Sequence, residues 1–280
     1  MKRILTALAL ALLVAALIFV GKPWMVTALA AIVAGLAAVE FRGFTVAGGC
    51  PVPLWWTLGA VALFFLATFY RPQDTITVVA FVTLVLFVVA AFTTPIERVL
   101  WETAAGLLML VYIAYPLTLI PQILNTWNGT AVLLFLFVCV WSGDIAALYA
   151  GRRFGRHKLT SLSPNKTWEG AVASVLASAF FGMALIGLGD WFTLQGYTFT
   201  RLHTTEPWWV FLILAVGLNI AAQFGDLLES ALKRGAGVKD SGTLLPGHGG
   251  VLDRVDALLV AAPVLWFVLA VREYFALGSL

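Results

Sequence analysis

Cysteine, histidine and charge are all scarce in this chain, and each shortage removes a class of protein. The two cysteines, Cys50 and Cys139, support neither a disulfide framework nor a thiolate zinc site. Three histidines are too few for a histidine-rich metal centre. Charged residues make up only 11% of the sequence and hydrophobic residues 61%, whereas an ordinary soluble domain is about a quarter charged and about half apolar. Strand-type alternation is absent, as are low-complexity segments and any internal repeat strong enough to suggest the inverted halves of a transporter. The net charge of +3 says little by itself, because its distribution matters more than its sum; no nucleic-acid partner is expected.

What is present is a series of apolar runs, near residues 4–20, 24–39, 54–69, 76–92, 103–120, 130–149, 171–188, 208–228 and 258–275. Each approaches the ~20 residues that cross ~30 Å of hydrocarbon. Backbone groups in lipid must be satisfied within the segment, so these runs are expected to be helices. The predicted fold is an all-α integral membrane protein with about nine transmembrane helices and a cytoplasmic N-terminus. In that orientation 13 of the 17 basic residues lie inside, among them Lys2, Arg3, Arg152, Arg153, Arg156, Lys158, Lys233 and Arg234. The first run follows Lys2 and Arg3 as a signal peptide would, but no clear small-residue cleavage site follows. We expect one polytopic domain over 1–280, with 1–128 as scaffold spans and 129–280 as catalytic spans and loops. Trp55/Trp56 and Trp208/Trp209 read as interfacial anchors. Glu40, Glu97 and Glu102 fall near predicted helix ends, where a carboxylate reaches water and needs no catalytic explanation.

Charge is concentrated in two windows. Residues 141–170 and 223–256 hold 16 of the 31 charged residues in 64 of 280 positions. In the first, Asp144 sits inside or at the rim of an apolar run, where a carboxylate usually has a partner or a metal. Beyond it come Arg152, Arg153, Arg156, Lys158 and the stretch Ser163-Pro164-Asn165-Lys166-Thr167 before a new helix. A helix N-terminus beside Lys166 and Thr167 suits a phosphate oxygen. In the second window, a helix continuing through Arg234 places Asp226, Glu229, Ser230 and Lys233 on one face. Pro246-Gly247-His248-Gly249-Gly250 is a turn whose glycines permit positive φ and let backbone amides approach an anion. Asp253 and Asp256 follow at i and i+3 at the start of the last span. Two carboxylates that close repel unless a cation lies between them, although a solvated helix start favoured by the dipole is the plainer alternative.

Oxygen ligands of this kind suit Mg²⁺, which keeps several waters and is shared with substrate phosphates. The metal candidates are Asp144, Asp226, Asp253 and Asp256. Lys233, Arg234, Lys239 and Arg254 supply positive charge of the kind that neutralises a transferring phosphoryl unit. A phosphate monoester nucleophile has a second pKa near ~6 and is largely a dianion at neutral pH, so no catalytic histidine is required. His248 is read as a loop or phosphate-contacting residue.

At these residues the chain resembles the phosphatidate cytidylyltransferases, or CDP-diacylglycerol synthases. Their C-terminal motif is matched by Ser230, Lys233, Arg234, Lys239, Asp240, Pro246, Gly247, His248, Gly249, Gly250, Asp253, Arg254 and Asp256. The Asp144 segment, the stretch 163–167 and Gly225-Asp226 also look like family elements, with Asn165 standing where many members carry lysine. The clear resemblance spans roughly 129–260. It implies transfer of CMP from CTP to phosphatidic acid, giving CDP-diacylglycerol and pyrophosphate for phospholipid biosynthesis. It also implies a Mg²⁺ requirement, with a second cation left open, a homodimer, and a bacterial-type inner (plasma) membrane with the active site facing the cytoplasm. By carry-over, Asp226 and Asp253 lead the metal set and Asp256 and Asp144 follow. Ser230, Lys233, Arg234, Lys239 and His248 would contact substrate phosphates. The catalytic group is expected to comprise Asp226, Ser230, Lys233, Arg234, Lys239, Asp240, Asp253, Arg254 and Asp256. Lys166, Thr167, Gly247, His248, Gly249 and Gly250 are expected to bind substrate.

Three other classes compete. A CTP-dependent polyprenol or phytol kinase would transfer the γ-phosphoryl group, and the long motif argues against it. A transporter or channel would place its acidic residues near span centres in both halves, whereas here they cluster towards one side. A noncatalytic lipid-binding scaffold would not need paired aspartates beside a glycine turn.

Overall fold

The computed structural model describes residues 14–126, 128–197, 206–242 and 249–277. Apolar composition makes almost all of this helical, even across Pro263 inside the last helix. The helices are α1 (Pro23–Ala47), α2 (Leu54–Tyr70), α3 (Thr75–Thr93), α4 (Ile96–Met109), α5 (Tyr115–Leu124), α6 (Gly129–Phe154), α7 (Trp168–Leu194), α8 (Trp208–Gly235) and α9 (Leu252–Leu277). Residues 14–20 are helical too. A π-helical stretch, Leu110–Ala114, joins α4 to α5, and Pro121 lies inside α5. An isolated antiparallel bridge pairs Lys158 with Thr167.

Seven of these helical segments are long and apolar enough to cross a membrane: Pro23–Ala47, Pro72–Thr93, Ile96–Leu124, Gly129–Phe154, Trp168–Leu194, Trp208–Gly235 and Leu252–Arg272. The expected span near 54–69 appears as the shorter apolar helix Leu54–Tyr70, and most of the one near 4–20 lies outside the described residues. The all-helical membrane architecture stands.

Contacts divide the chain into two compact units whose sequences interleave. Of the described residues, one unit takes those of Lys22–Pro121 and Ala231–Val255, and the other those up to Gly21 and those of Gln122–Ser230 and Asp256–Leu280. In the first unit α1 packs against α2 and α3 against α4. Trp56 is buried here, its Nε1 donating to the Val82 carbonyl at 2.9 Å, so of the Trp55/Trp56 pair only Trp55 has the exposure of an interfacial anchor. Trp208 and Trp209 are both exposed as expected. Glu102 is buried and accepts from Thr94 Oγ1 at 2.9 Å; it does not lie in water.

In the second unit α6 and α7 make the most extensive helix pairing. Small residues allow it, as is usual where dispersion and hydrogen bonding replace the hydrophobic effect. A Cβ on Gly143 would come 2.8 Å from Ser174 Oγ and Ser178 Oγ of α7, and one on Gly182 would come 2.9 Å from Cys139 Sγ. Asn219 Nδ2 donates to Ser174 Oγ at 2.9 Å and Ser178 Oγ at 2.7 Å, and Gln223 Nε2 donates to Asn219 Oδ1 at 2.7 Å. This buried polar chain ties α7 to α8.

Candidate active site

In the second unit, the end of α6, the loop after it and the facing turns of α7 and α8 enclose a cavity of about 330 Å³. Its lining includes Asp144, Gly151, Asn165, Lys166, Gln223 and Asp226. The loop is held in place by short-range bonds. Leu159 N–H donates to the Lys166 carbonyl at 2.8 Å, and Trp168 N–H to the His157 carbonyl at 3.0 Å. Thr167 caps α7 by accepting from Gly170 N–H at 3.1 Å; such a cap is worth ~1 kcal/mol. Glu169, in the first turn of α7, accepts from Arg156 N–H at 3.1 Å and contacts His157 Nδ1 at 2.6 Å. Thr167 therefore lines the cavity as expected while its hydroxyl accepts a structural bond, and Glu169 is a loop clamp that went unremarked in the sequence.

Lys166, fixed at the loop's return, places Nζ 2.6 Å from Asp226 Oδ2. Asp226 keeps 41% of its side-chain exposure, so the pair faces an accessible space. Gly225 lets the start of α9 come close: a Cβ there would lie 3.0 Å from Ala257 Cα. Asp256 consequently lies within electrostatic range of Asp226, Glu229 and Asp144. Glu229 is buried, which rules out a solvated helix end at that point, and α8 runs through Lys233 as expected.

The remaining described residues of the C-terminal motif lie in the first unit, apart from the half-buried Ser230. Lys233 Nζ donates to Asp253 Oδ1 at 2.6 Å, with both side chains largely buried. Asp253 Oδ2 accepts from Ser241 N–H at 3.2 Å, Ser241 Oγ at 2.8 Å and Gly250 N–H at 2.8 Å. Gly249 has φ +78°, the left-handed region that favours glycine, and Asp253 closes against it. As arranged, Asp253 clamps Lys233 and the glycine turn. Arg234, Lys239, Asp240 and Arg254 are exposed, and Arg234 Nη1 donates to the Val238 carbonyl at 3.3 Å. Pro246, Gly247 and His248 lie outside the described residues.

Sequence reasoning missed Glu40. Only 5% exposed, it accepts from Val251 N–H at 2.9 Å, Leu252 N–H at 2.8 Å and Ser241 Oγ at 3.0 Å. The expected helix end near residue 39 misled the reading, because α1 continues about two turns past Glu40 to Ala47. A lone carboxylate inside an apolar helix was the signal available.

Among the described residues no three histidine, cysteine or carboxylate side chains converge to hold a metal on their own. The donors on the cavity wall still suit Mg²⁺. They are hard oxygens, with no thiolate or imidazole among the lining residues, and Mg²⁺ is commonly bound by one or two carboxylates together with substrate phosphates. The Lys166 ammonium on Asp226 shows that the carboxylate accepts a cation at close range.

The chain is similar to several curated proteins. A phosphatidate cytidylyltransferase of Brucella suis is 42% identical over 164 residues, covering 58% of this chain and 55% of the relative. One from Synechocystis is 40% identical over 145 residues, 51% of this chain and 44% of the relative. One from Haemophilus influenzae is 40% identical over 140 residues, 50% and 46% respectively. The chain spans about half the length of the curated relatives it matches. A model of the cytidylyltransferase family matches residues 1–272, and the chain belongs to that family.

Proposed function

We propose that this protein transfers CMP from CTP to phosphatidic acid, forming CDP-diacylglycerol and pyrophosphate in phospholipid biosynthesis. The observation that carries this reading is the cavity on which Asp144, Lys166 and Asp226 converge in a chain of the cytidylyltransferase family. A phosphatidate oxygen, already largely dianionic at neutral pH, attacks the α-phosphorus of CTP. One P–O bond forms there, the bond to the β-phosphate bridging oxygen breaks, and pyrophosphate leaves with that electron pair. Lys166 steadies phosphate charge from the cavity wall, and the backbone amides at the start of α7 add positive potential. Asp144, Asp226 and Asp256 are the groups to hold Mg²⁺, which when bound offsets negative charge on the polyphosphate. Lys233, clamped by Asp253, is assigned to phosphate by the motif it shares with the family, together with Ser230, Arg234 and Lys239.

The cytoplasmic orientation follows from the arginine and lysine distribution. The homodimer, and the division into scaffold spans over 1–128 and catalytic spans over 129–280, belong to the same proposal.

The test is product identification with purified protein, Mg²⁺, CTP and phosphatidic acid, with lipid alcohols supplied in parallel. CDP-diacylglycerol and equimolar pyrophosphate are expected. CDP with the γ-phosphoryl group on a lipid alcohol would replace this reading with a CTP-dependent lipid kinase, and no turnover would overturn it.

A further inference from the structure

The Glu40 carboxylate is buried in the first unit and is satisfied there by groups far along the chain. Oε1 accepts from Val251 N–H, and Oε2 accepts from Leu252 N–H and Ser241 Oγ. Leu252 begins α9, so Glu40 supplies from α1 the acceptor that a helix N-terminus normally finds in its own preceding residue. The single Ser241 hydroxyl proton is shared between Glu40 Oε2 and Asp253 Oδ2; Ser241 N–H also donates to Asp253 Oδ2, and Asp253 Oδ1 accepts from Lys233. A continuous chain therefore runs Glu40, Ser241, Asp253, Lys233. The space around it is closed: a Cβ on Gly250 would collide with both Ser241 Oγ and Glu40 Oε2, and one on Gly242 would lie 2.7 Å from Glu40 Oε1. A Cβ at either position would therefore require Glu40, or at Gly250 also Ser241, to move.

From this geometry we infer that Glu40 is a positioning residue for the transferase reaction, fixing Ser241 and the first turn of α9 so that Asp253 holds Lys233 in its working place. This rests on the proposed function. A carboxylate is required because its two oxygens serve three donors on two sides. An amide of the same shape must turn N–H₂ towards either Val251 N–H or the Leu252 and Ser241 donors. An unmet buried donor is costly where the local dielectric is low.

The experiment compares Glu40→Gln, Glu40→Asp, Ser241→Ala and the double variant Glu40→Gln/Ser241→Ala, all in detergent-purified full-length protein. Activity is normalised to folded protein, and amide hydrogen exchange is followed at Val251 and Leu252. We expect kcat of Glu40→Gln to fall about ten-fold or more while KM for phosphatidic acid changes less than about two-fold. Glu40→Asp should recover part of the loss, and the double variant should be little worse than Glu40→Gln. Normal kcat per folded molecule in Glu40→Gln, or additive losses in the double variant, would overturn the inference. Should Glu40→Gln fail to fold, Ser241→Ala decides by the same kcat criterion. Should the wild type lack transferase activity, the proposed function fails, and exchange then decides the anchor separately. Faster exchange at 251 and 252 in Glu40→Gln supports it, and unchanged exchange overturns it.

Discussion

Replacing Asp253 by asparagine keeps the side chain's shape and removes one of its two acceptor oxygens. Four hydrogen bonds converge on this carboxylate: Lys233 on Oδ1, and Ser241 N–H, Ser241 Oγ and Gly250 N–H on Oδ2. If the remaining oxygen stays with Ser241 and Gly250, the new N–H₂ is turned on the Lys233 ammonium at a spacing of 2.6 Å. If it turns to Lys233, Ser241 N–H and Gly250 N–H lose their acceptor, while the Ser241 hydroxyl keeps Glu40 Oε2. Breaking a buried ion pair by removing one partner costs ~3–5 kcal/mol. With side chains 13% and 14% exposed, residual water reduces this to about 2–4 kcal/mol. At ~1.4 kcal/mol per ten-fold change, the population holding Lys233 in place falls roughly 30- to 700-fold. Turnover per folded protein should fall by a similar factor, with a lowered unfolding temperature in detergent but normal membrane insertion. Lys233→Met in the same background should recover stability without recovering turnover. An Asp253→Asn protein that keeps more than half of wild-type turnover would refute the reasoning.

Three further outcomes are expected. Lys166→Met, which removes the 2.6 Å contact to Asp226, should lower kcat/KM for CTP by about 10- to 100-fold, read from steady-state kinetics at saturating phosphatidic acid. Gly143→Ala forces a methyl group into Asn219 Nδ2 and to 2.8 Å from both Ser174 Oγ and Ser178 Oγ; thermal unfolding should show a loss of about 1–3 kcal/mol. Trp56→Phe deletes the bond to the Val82 carbonyl and should cost about 1 kcal/mol or somewhat more in the same assay, with turnover unchanged.

The helices were legible in the sequence because lipid leaves a long apolar segment little alternative to helix. The cavity was partly legible as well. Asp144, Lys166 and Asp226 stood out as charges where charge is rare, and the structure brings them to one wall. Pairings between distant segments were not legible. Nothing local in the sequence around Glu40 indicates that its partners are Ser241, Val251 and Leu252, 201 to 212 residues away. Nor does helical spacing disclose that Asp253 is occupied by Lys233 and the glycine turn, because i and i+3 spacing fixes a face and leaves open what that face meets. The Trp55/Trp56 pair makes the same point, since two adjacent indoles on a helix point in different directions and only one of them is buried.

The most direct test of the central claim follows α-phosphate label from CTP into phosphatidic acid, with wild-type and Asp226→Asn proteins side by side under equal Mg²⁺. The account predicts labelled lipid with matching pyrophosphate release from the wild type, and about 1% of that rate or less from the variant. Equal labelling by the two proteins, or none by the wild type, would contradict it.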